Sequence, residues 1–357
     1  MAMKLLITGI CGFVGSTLAK AWIGADADIA IYGLDNFIRP GSEENRSHLQ
    51  KLGVKLFHGD IRVASDFETL PKVDWVIDAA ANPSVLAGVD GYTSSRQLIE
   101  HNLSGTVNIL EYCKKHGAGF IMLSTSRVYS ITPLSKLIVE PVAQAFRLSA
   151  GQLLPPGLSS DGVSETFSTA APISLYGSTK LASEIMALEY GETFNFPVWI
   201  NRCGVMAGAG QFGKADQGIF AYWINAYLRR QSLKYIGFGG NGFQVRDCLH
   251  PRDLIPLLQK QTTAPYGHEE RLVNIGGGNS HAMSLAELSA WCANRFGSHA
   301  IASEPAIRRF DIPWLIMDCS LADQIWDWRP QTSLNQILDE IAVHAQQHPN
   351  WLEISGA

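Results

Sequence analysis

A tyrosine and a lysine stand four residues apart in the stretch LYGSTKLASE, as Tyr176 and Lys180. On a helix this spacing places both side chains on one face. An ammonium beside a phenol favours the phenolate and lowers the pKa of the tyrosine from about 10, so that it can accept a proton near neutral pH. Ten tyrosines give many chances for a lysine at this distance, so the pair predicts a general base only where other elements position it.

A hydroxyl-rich segment follows the apolar run FIML at residues 120–123, and it reads Ser124, Thr125, Ser126 and Arg127. The run has the character of a buried strand, and the ends of such strands carry the chemistry of α/β enzymes. Thr125 could hold a substrate hydroxyl and share its proton, so we predict it as the third catalytic residue. The alternative is that these hydroxyls only cap the backbone at the strand end.

Three glycines follow the first apolar run, in the stretch TGICGFVG. Gly9, Gly12 and Gly15 allow a tight turn, a close approach of backbone N–H groups to a pyrophosphate, and close packing of a helix on a strand. A turn without a ligand is the alternative. We predict a dinucleotide site here, with Phe13 and Val14 at the start of the helix as part of it.

An acidic residue, Asp35, ends the second apolar run twenty residues after Gly15, where a carboxylate can accept hydrogen bonds from ribose hydroxyls. This favours NAD over NADP, whose additional phosphate the carboxylate would repel, although Arg39 leaves NADP open. Asn36 is predicted to bind the cofactor beside Asp35. Further cofactor contacts are predicted after the third and fourth strands, at Asp60, Ile61, Ala79, Ala80 and Ala81, with plain loops as the alternative.

Short apolar runs alternate with helix-like stretches through the first two hundred residues. The runs lie at 5–8, 29–34, 54–58, 75–79, 120–123 and 198–201, with helical stretches such as 14–23 and 105–115 between them. This alternation predicts an α/β fold, a doubly wound parallel (Rossmann) sheet followed by a smaller C-terminal α/β substrate-binding region.

The predicted division into domains follows from the same pattern. Residues 1–202 form the cofactor-binding domain, a segment near 236–262 returns to it, and 203–357 mainly bind substrate. The proline-containing connection 131–163 is expected to be a partly ordered lid or interface segment, because an unstructured loop of that length is unusual in a compact domain.

Composition excludes several classes of function. The chain has 357 residues, 46% of them hydrophobic, and a net charge of -5, which offers no basic surface for nucleic acid. Six cysteines without paired spacing suggest neither a metal site nor a disulfide framework. No apolar segment has the length of a membrane span and no leader pattern opens the chain, so a cytoplasmic location is expected.

Taken together, these motifs resemble the extended short-chain dehydrogenase/reductase superfamily of nucleotide-sugar epimerases and dehydratases, over nearly the whole chain. Stretches such as DNFIRPGSEEN, HNLSGTVNILEYCKKHG and GNGFQVRDCLHPRDL are most similar to its CDP-paratose 2-epimerase (CDP-tyvelose epimerase) branch. The resemblance implies bound NAD, a nucleotide-sugar substrate and a homodimer. It adds Asn102 to the cofactor contacts and implies that the substrate is bound by Ser126, Arg127, Asn201, Arg202, Gln217 and Arg246.

The pair after Thr125 bears on the type of reaction. In the family's 4,6-dehydratases an Asp-Glu pair follows the catalytic threonine and supplies the acid and base for elimination, whereas Ser126 and Arg127 stand here. A guanidinium cannot deprotonate a carbon and a serine without a base partner is a poor proton donor. The resemblance therefore implies epimerisation by transient oxidation, at C2 of a CDP-deoxyhexose. A UDP-sugar 4-epimerase, a dehydratase, a reductase that exchanges its cofactor and a non-catalytic NAD-sensing protein are the alternatives.

Overall fold

The computed structural model describes residues 2–89, 94–264, 270–306, 308 and 310–357. The chain forms two compact units, each built from three separate segments. The first contains residues 1–128, 175–202 and 251–273, and the second contains 129–174, 203–250 and 274–357. The boundary after residue 202 was predicted, but the segment that returns to the first unit is 251–273 instead of 236–262.

Seventeen strands lie in the described ranges. They are β1 (Lys4–Thr8), β2 (Ala30–Asp35), β3 (Lys55–His58), β4 (Trp75–Asp78), β5 (Gly119–Thr125), β6 (Val139–Val142), β7 (Ala145–Leu148), β8 (Leu158–Ser159), β9 (Gly162–Val163), β10 (Val198–Cys203), β11 (Val205–Met206), β12 (Leu233–Ile236), β13 (Val245–Leu249), β14 (Leu272–Ile275), β15 (Ala282–Ser284), β16 (Ile301–Glu304) and β17 (Trp314–Leu315).

Twelve α-helices accompany these strands in the same ranges. They are α1 (Phe13–Ala25), α2 (Glu44–Lys51), α3 (Ser95–Ile99), α4 (Gly105–His116), α5 (Ile131–Ser135), α6 (Ser174–Phe194), α7 (Ile219–Leu228), α8 (Ile255–Thr263), α9 (Leu285–Phe296), α10 (Ser320–Trp326), α11 (Leu334–Gln347) and α12 (Trp351–Ile354). A π-helical turn (Glu100–Ser104) joins α3 to α4, and a 3-10 turn (Ser126–Val128) follows β5.

The central sheet has seven strands in the order β14-β10-β5-β4-β1-β2-β3. Strand β1 pairs in parallel with β2 and β4, and the pairs β2–β3 and β4–β5 are parallel as well. The order runs outward from β1 in both directions, which is the doubly wound arrangement. The predicted fold class is confirmed, and each of the six predicted strands is present. Strand β14 was missed, because its last two residues, Asn274 and Ile275, directly precede the glycines 276–278 and were interpreted as part of a loop.

Strand β5 is buried along all seven of its residues, as expected of a parallel strand covered on both faces. Its Phe120 belongs to a core cluster with Val76 of β4, Ile109 of α4 and Ile200 of β10. The long helix α6 ends at Phe194, since the following residue adopts a positive φ of 55°. The core therefore fixes the end of β5 and the helices beside it, which carry the predicted catalytic residues.

The segment 129–174 was predicted as part of the first domain, but it belongs to the second unit. It contains α5 and two antiparallel hairpins, β6–β7 and β8–β9. The N–H of Phe146 donates to the carbonyl of Phe243, and the N–H of Val163 donates to that of Ile316. These long-range bonds attach both hairpins to later segments of the second unit, and a local sequence pattern does not reveal them.

Helices α7, α9 and α11 enclose the apolar core of the second unit, which contains Trp223, Leu288 and Ile341. Helix α9 begins with a capping box, in which the Ser284 hydroxyl accepts from the N–H of Glu287 and the Glu287 carboxylate accepts from the N–H of Ser284.

Across the described ranges, none of the helices has both the length and the apolar character needed to cross a bilayer. The same residues contain no group of three or more His, Cys, Asp or Glu side chains arranged to hold a metal ion.

Candidate functional site

The glycine turn connects β1 to α1 with a close backbone approach. Gly9 has a φ of +63°, and a Cβ atom there would lie 2.8 Å from the Cα atom of Ala80. A Cβ atom on Gly15 would lie 2.4 Å from the carbonyl oxygen of Gly9. Helix α1 begins at Phe13 directly after this turn, and its N-cap, Gly12, makes no side-chain capping bond. The turn thus presents the start of a thirteen-residue helix, the usual position for a bound phosphate.

Asp35 is held beside the turn by two backbone hydrogen bonds. Its Oδ2 accepts from the N–H of Cys11 and its Oδ1 from the N–H of Phe37, both at 2.8 Å. Burial raises the pKa of Asp35, and these N–H groups oppose that effect. Each carboxylate oxygen can accept more than one hydrogen bond, so the fixed carboxylate is suited to the hydroxyls of a ribose.

Asp60 and Ile61 were both predicted to contact the cofactor. The Asp60 carboxylate accepts two bonds from the Arg62 guanidinium, at 2.9 and 2.6 Å, and one from Asn36 at 2.9 Å. Burial alone would raise the pKa of Asp60, but the bonds from Arg62 and Asn36 hold it well below its usual value. Ile61 is buried in the core of the first unit. The cofactor roles of Asp60, Ile61 and Asn36 stay predictions, and these contacts show that the side chains also stabilise the loop after β3.

The ends of β1 and β4 are joined by a buried polar network that sequence reasoning missed. Thr8 and Asp78 are opposite each other in the parallel register, and the Thr8 hydroxyl donates to Asp78 Oδ1 at 2.7 Å. The Thr106 hydroxyl on α4 donates to the Asn102 carbonyl at 2.8 Å and lies 3.4 Å from the other oxygen of Asp78. The signal was present, because a polar residue ends each of two adjacent strands. The network fixes the loop that begins at Ala79, where Ala79 and Ala80 are half-buried and Ala81 is exposed.

Asn102 lies in the π-helical turn and is buried. Its Oδ1 accepts from the N–H of Asn82 at 2.8 Å, and its Nδ2 donates to the Asn82 carbonyl at 3.0 Å and to the Thr179 hydroxyl at 3.2 Å. The Asn102 carbonyl accepts from the Ser183 hydroxyl at 2.8 Å. Both amide hydrogens are used inside the protein, and the predicted contact of Asn102 with the cofactor stays a prediction. Asn102 connects the loop after β4 to helix α6.

Tyr176 and Lys180 lie one turn apart near the start of α6, as predicted. Their exposed fractions are 7% and 2%. Tyr176 packs with Ala87 and Leu98, and its carbonyl accepts from the Thr179 hydroxyl at 2.8 Å. A buried ammonium one helical turn from a buried phenol is the arrangement that the predicted base requires.

Thr125 is the last residue of β5 and has an exposed fraction of 9%. Its Oγ1 accepts from the N–H of Arg127 at 3.2 Å, so the hydroxyl does cap the backbone, as the alternative interpretation held. A hydroxyl that accepts such a bond keeps its own proton for donation. Of the two predicted substrate contacts that follow, Ser126 is buried and Arg127 is half-buried.

Asn201 and Arg202 bond to other parts of the fold, and their predicted contacts with substrate stay predictions. Asn201 on β10 exchanges two amide hydrogen bonds with Gln261 on α8, at 3.0 and 2.9 Å. Arg202 is buried and forms an ion pair with Glu184 at 2.7 Å. Both side chains lie in the interior and attach helices to the sheet, a role that their position at the end of the apolar run of β10 did not reveal.

Arg246 and Gln217, two further predicted substrate contacts, belong to the second unit. Arg246 donates to the carbonyls of Val245 and Ile312, at 2.7 and 2.8 Å, and lies 3.5 Å from Asp311 Oδ1. The other oxygen of Asp311 lies 3.9 Å from Arg308, a residue that sequence reasoning missed although RRFD places it close by.

Gln217 is half-buried and exchanges backbone hydrogen bonds with Lys214 just before α7 begins. Its predicted contact with substrate stays a prediction.

A family profile and several known proteins match most of this chain. The profile described as the NAD dependent epimerase/dehydratase family matches residues 5–276. CDP-paratose 2-epimerase of Salmonella typhi is 27% identical over 339 residues, which cover 93% of this chain and 96% of that protein. The uncharacterized UDP-glucose epimerase YtcB of Bacillus subtilis is 28% identical over 352 residues, 95% of this chain and 97% of that protein.

Among solved structures, UDP-glucuronic acid 4-epimerase from Bacillus cereus in complex with NAD superposes with a TM-score of 0.74. It is 25% identical, and the match covers 97% of this chain and 100% of that one. The profile spans the glycine turn, Asp35, Thr125 and the Tyr176–Lys180 pair, so the chain belongs to the NAD dependent epimerase/dehydratase family, and its cofactor is NAD.

Proposed function

We propose that this protein is a nucleotide-sugar epimerase that oxidises one carbon of the sugar transiently and reduces it again from the opposite face. The observation that carries the proposal is the buried pair Tyr176 and Lys180 on α6, in the same unit as Thr125 at the end of β5. We further propose C2 of a CDP-deoxyhexose such as CDP-paratose as the reacting centre. The similarity to CDP-paratose 2-epimerase supports this substrate.

The described residues fit the cofactor. Bound NAD would accept a hydride from the sugar carbon and return it later. The turn from Gly9 to Gly15 and the N-terminus of α1 would hold its pyrophosphate, because the dipole and the first N–H groups of a helix favour an anion. Asp35 would accept from the ribose hydroxyls, and its negative charge disfavours a 2′-phosphate. A side chain on Gly9 or Gly15 would clash with backbone atoms of this cradle.

The protein's own side chains carry out the proton transfers. Tyr176 takes the proton of the sugar hydroxyl and returns it in the second half of the cycle. Because Lys180 is only 2% exposed, water screens its charge little, and the charge favours the phenolate form of Tyr176. Thr125 donates its hydroxyl proton to the same sugar oxygen and keeps that oxygen near the phenol.

Elimination of water is disfavoured at this site. The stretch LSTSRVYS contains no carboxylate, so the positions after Thr125 offer neither a carboxylic acid nor a carboxylate base. Ser126 is buried and Arg127 is half-buried, and neither side chain can abstract a proton from carbon. Epimerisation needs only the groups already described.

The nucleotide diphosphate requires cationic partners, and we propose Arg246 and Arg308 for this role. Both guanidinium groups lie within 4 Å of Asp311, which balances part of their charge in the protein without substrate. A diphosphate offers two anionic groups with the oxygen geometry that arginine prefers. Its binding would replace part of the interaction with Asp311.

A UDP-sugar 4-epimerase is the second candidate, because two of the similar proteins are described as UDP-sugar epimerases and the same three catalytic residues would serve. Incubating the protein with a small panel of CDP- and UDP-sugars, followed by proton NMR, separates the two. Inversion at C2 and inversion at C4 give different coupling patterns.

A homodimer is proposed as the assembly. Ile99 on α3 and Ile185 on α6 are large apolar side chains with exposed fractions of 43% and 56%. Burial of such side chains against a second copy would remove them from water. A cytoplasmic location is proposed as well, since all six cysteines are free thiols, as is usual in a reducing compartment.

The central test replaces Tyr176 by phenylalanine. Tyr176→Phe should lower turnover at least a hundredfold while heat denaturation still releases NAD in nearly equimolar amount, because only the proton-accepting oxygen is lost. Tyr190→Phe is the matched control, since Tyr190 lies on the same helix and donates to Glu111 at 2.8 Å. Unchanged turnover in Tyr176→Phe, or wild-type protein that is purified without NAD and requires NADPH, would contradict the proposal.

A further inference from the structure

A buried carboxylate lies one helical turn beyond Lys180. Glu184 is four residues further along α6, about 6 Å along the helix axis, and its exposed fraction is only 1%. Tyr176, Lys180 and Glu184 thus follow one another at four-residue intervals on one side of the helix. Neither the predicted catalytic set nor the proposed cofactor contacts include Glu184.

Glu184 contacts two strands of the central sheet. The Arg202 guanidinium on β10 donates from Nε to both carboxylate oxygens, at 3.1 and 3.2 Å, and from Nη2 to Oε2 at 2.7 Å. The Ser124 hydroxyl at the end of β5 donates to Oε1 of the same carboxylate. One side chain therefore attaches α6 to β10 and to β5.

The bond to Ser124 matters because Ser124 immediately precedes Thr125. Consecutive Cα atoms are about 3.8 Å apart, so fixing Ser124 leaves Thr125 little freedom relative to α6. We propose that Glu184 is a positioning residue, which through Ser124 and Arg202 sets the separation between the Thr125 hydroxyl and the Tyr176–Lys180 pair. This inference rests on the function proposed above, because that function gives the distance between Thr125 and Tyr176 a role in proton transfer.

Stability alone does not account for the choice of residues. A buried ion pair contributes little more than well-packed apolar side chains of similar volume, because its charges must be removed from water. Its charge-assisted hydrogen bonds, however, have defined lengths and directions. At Asn201 and Gln261, two amides attach another helix to β10 without any charge. The charged group, Glu184, is found on α6, the helix that carries Tyr176 and Lys180.

The test compares two variants with a matched control on the same helix. Glu184→Gln keeps the shape of the side chain and removes its charge, and Ser124→Ala removes only the link to β5. Glu192→Gln is the control, since Glu192 lies two turns further along α6 and pairs with Arg271 at 2.9 Å with 71% of its side chain exposed. Each protein is assayed for kcat and KM with the nucleotide sugar that the wild type turns over. Hydrogen exchange of the peptide 120–128 is measured by mass spectrometry on the NAD-loaded protein.

We expect Glu184→Gln to lower kcat at least tenfold and Ser124→Ala at least threefold, with KM within twofold of the wild type. Exchange in 120–128 should become faster in both variants and stay unchanged in Glu192→Gln. Should Glu184→Gln fail to fold, Ser124→Ala still decides, because it leaves the pair of Glu184 with Arg202 in place. Wild-type kcat and wild-type exchange in Ser124→Ala overturn the inference, as does a rise in KM that matches the loss in kcat.

Failure of the proposed function looks different. If the proposed function is wrong, the wild type turns over no sugar of the panel. If only the positioning role is wrong, the wild type is active and hydrogen exchange at 120–128 is unchanged in Glu184→Gln and Ser124→Ala.

Discussion

Two glycines of helix α1 provide a matched test of the cofactor cradle. A Cβ atom on Gly15 would lie 2.4 Å from the Gly9 carbonyl oxygen and 2.7 Å from the Ile10 Cα atom. Both are backbone atoms, so neither can rotate away, and overpacking of this kind costs about 1–3 kcal/mol. A Cβ atom on Gly24 in the same helix would have no described atom within 4 Å outside the adjacent residues and backbone of that helix. Alanine there should therefore stabilise the helix by about 0.5–1 kcal/mol.

The assay measures NAD content and thermal stability for the two variants. Gly15→Ala must shift the turn, so we expect less than a tenth of the wild-type NAD after purification and a lower Tm. Gly24→Ala should retain the full NAD content and unfold at a temperature equal to or slightly above that of the wild type. If Gly15→Ala were purified with equimolar NAD and an unchanged Tm, the close approach between Gly9 and Gly15 would not shape the cofactor site.

Three other predictions concern the second unit and the surface. Burial raises the pKa of Asp247 to about 6, although the N–H groups of Gly278 and Gly277 oppose this. The stability gained from protonation of Asp247 is present below about pH 4 and is lost as the pH rises through 6. Urea titrations should therefore show that the free energy of unfolding of the wild type falls by about 3 kcal/mol between pH 4 and 7, relative to that of Asp247→Asn. Equal pH dependence of the two proteins would contradict this. Arg246→Met should raise KM for the nucleotide sugar about tenfold to a hundredfold at unchanged NAD content, because a charge-assisted bond to the diphosphate is lost; an unchanged KM would exclude that contact. Ile185→Glu should shift the sedimentation coefficient from dimer to monomer, and an unaltered dimer would place the interface elsewhere.

Local patterns were sufficient for six of the seven strands of the central sheet and for the residues of the glycine turn. The run 120–123 is apolar at every position because β5 is covered on both faces, and this pattern is visible in the sequence alone. Gly9 and Gly15 were recognisable because only glycine fits their surroundings. Tyr176 and Lys180 were recognisable because helical geometry brings residues four apart to one face.

Long-range pairing was not predictable in the same way. Asn201 and Arg202 follow an apolar strand, as substrate contacts often do, yet their partners Gln261 and Glu184 stand 60 and 18 residues away. Nothing in the local sequence shows whether a polar side chain meets a ligand or another part of the fold. The bonds of the Asn102 amide to Asn82 and Thr179 were not predictable for the same reason.

The order of segments along the chain has a consequence for biosynthesis. The sheet's outermost strand, β14, ends at Ile275 and lies beside β10, which is complete by Cys203. During translation, β10 therefore leaves the ribosome about seventy residues before the strand that covers its hydrogen-bonding edge, and an uncovered edge can pair with other chains. Nascent or prematurely terminated chains that stop between these two points should depend on chaperones, whereas chains that extend past Ile275 should not.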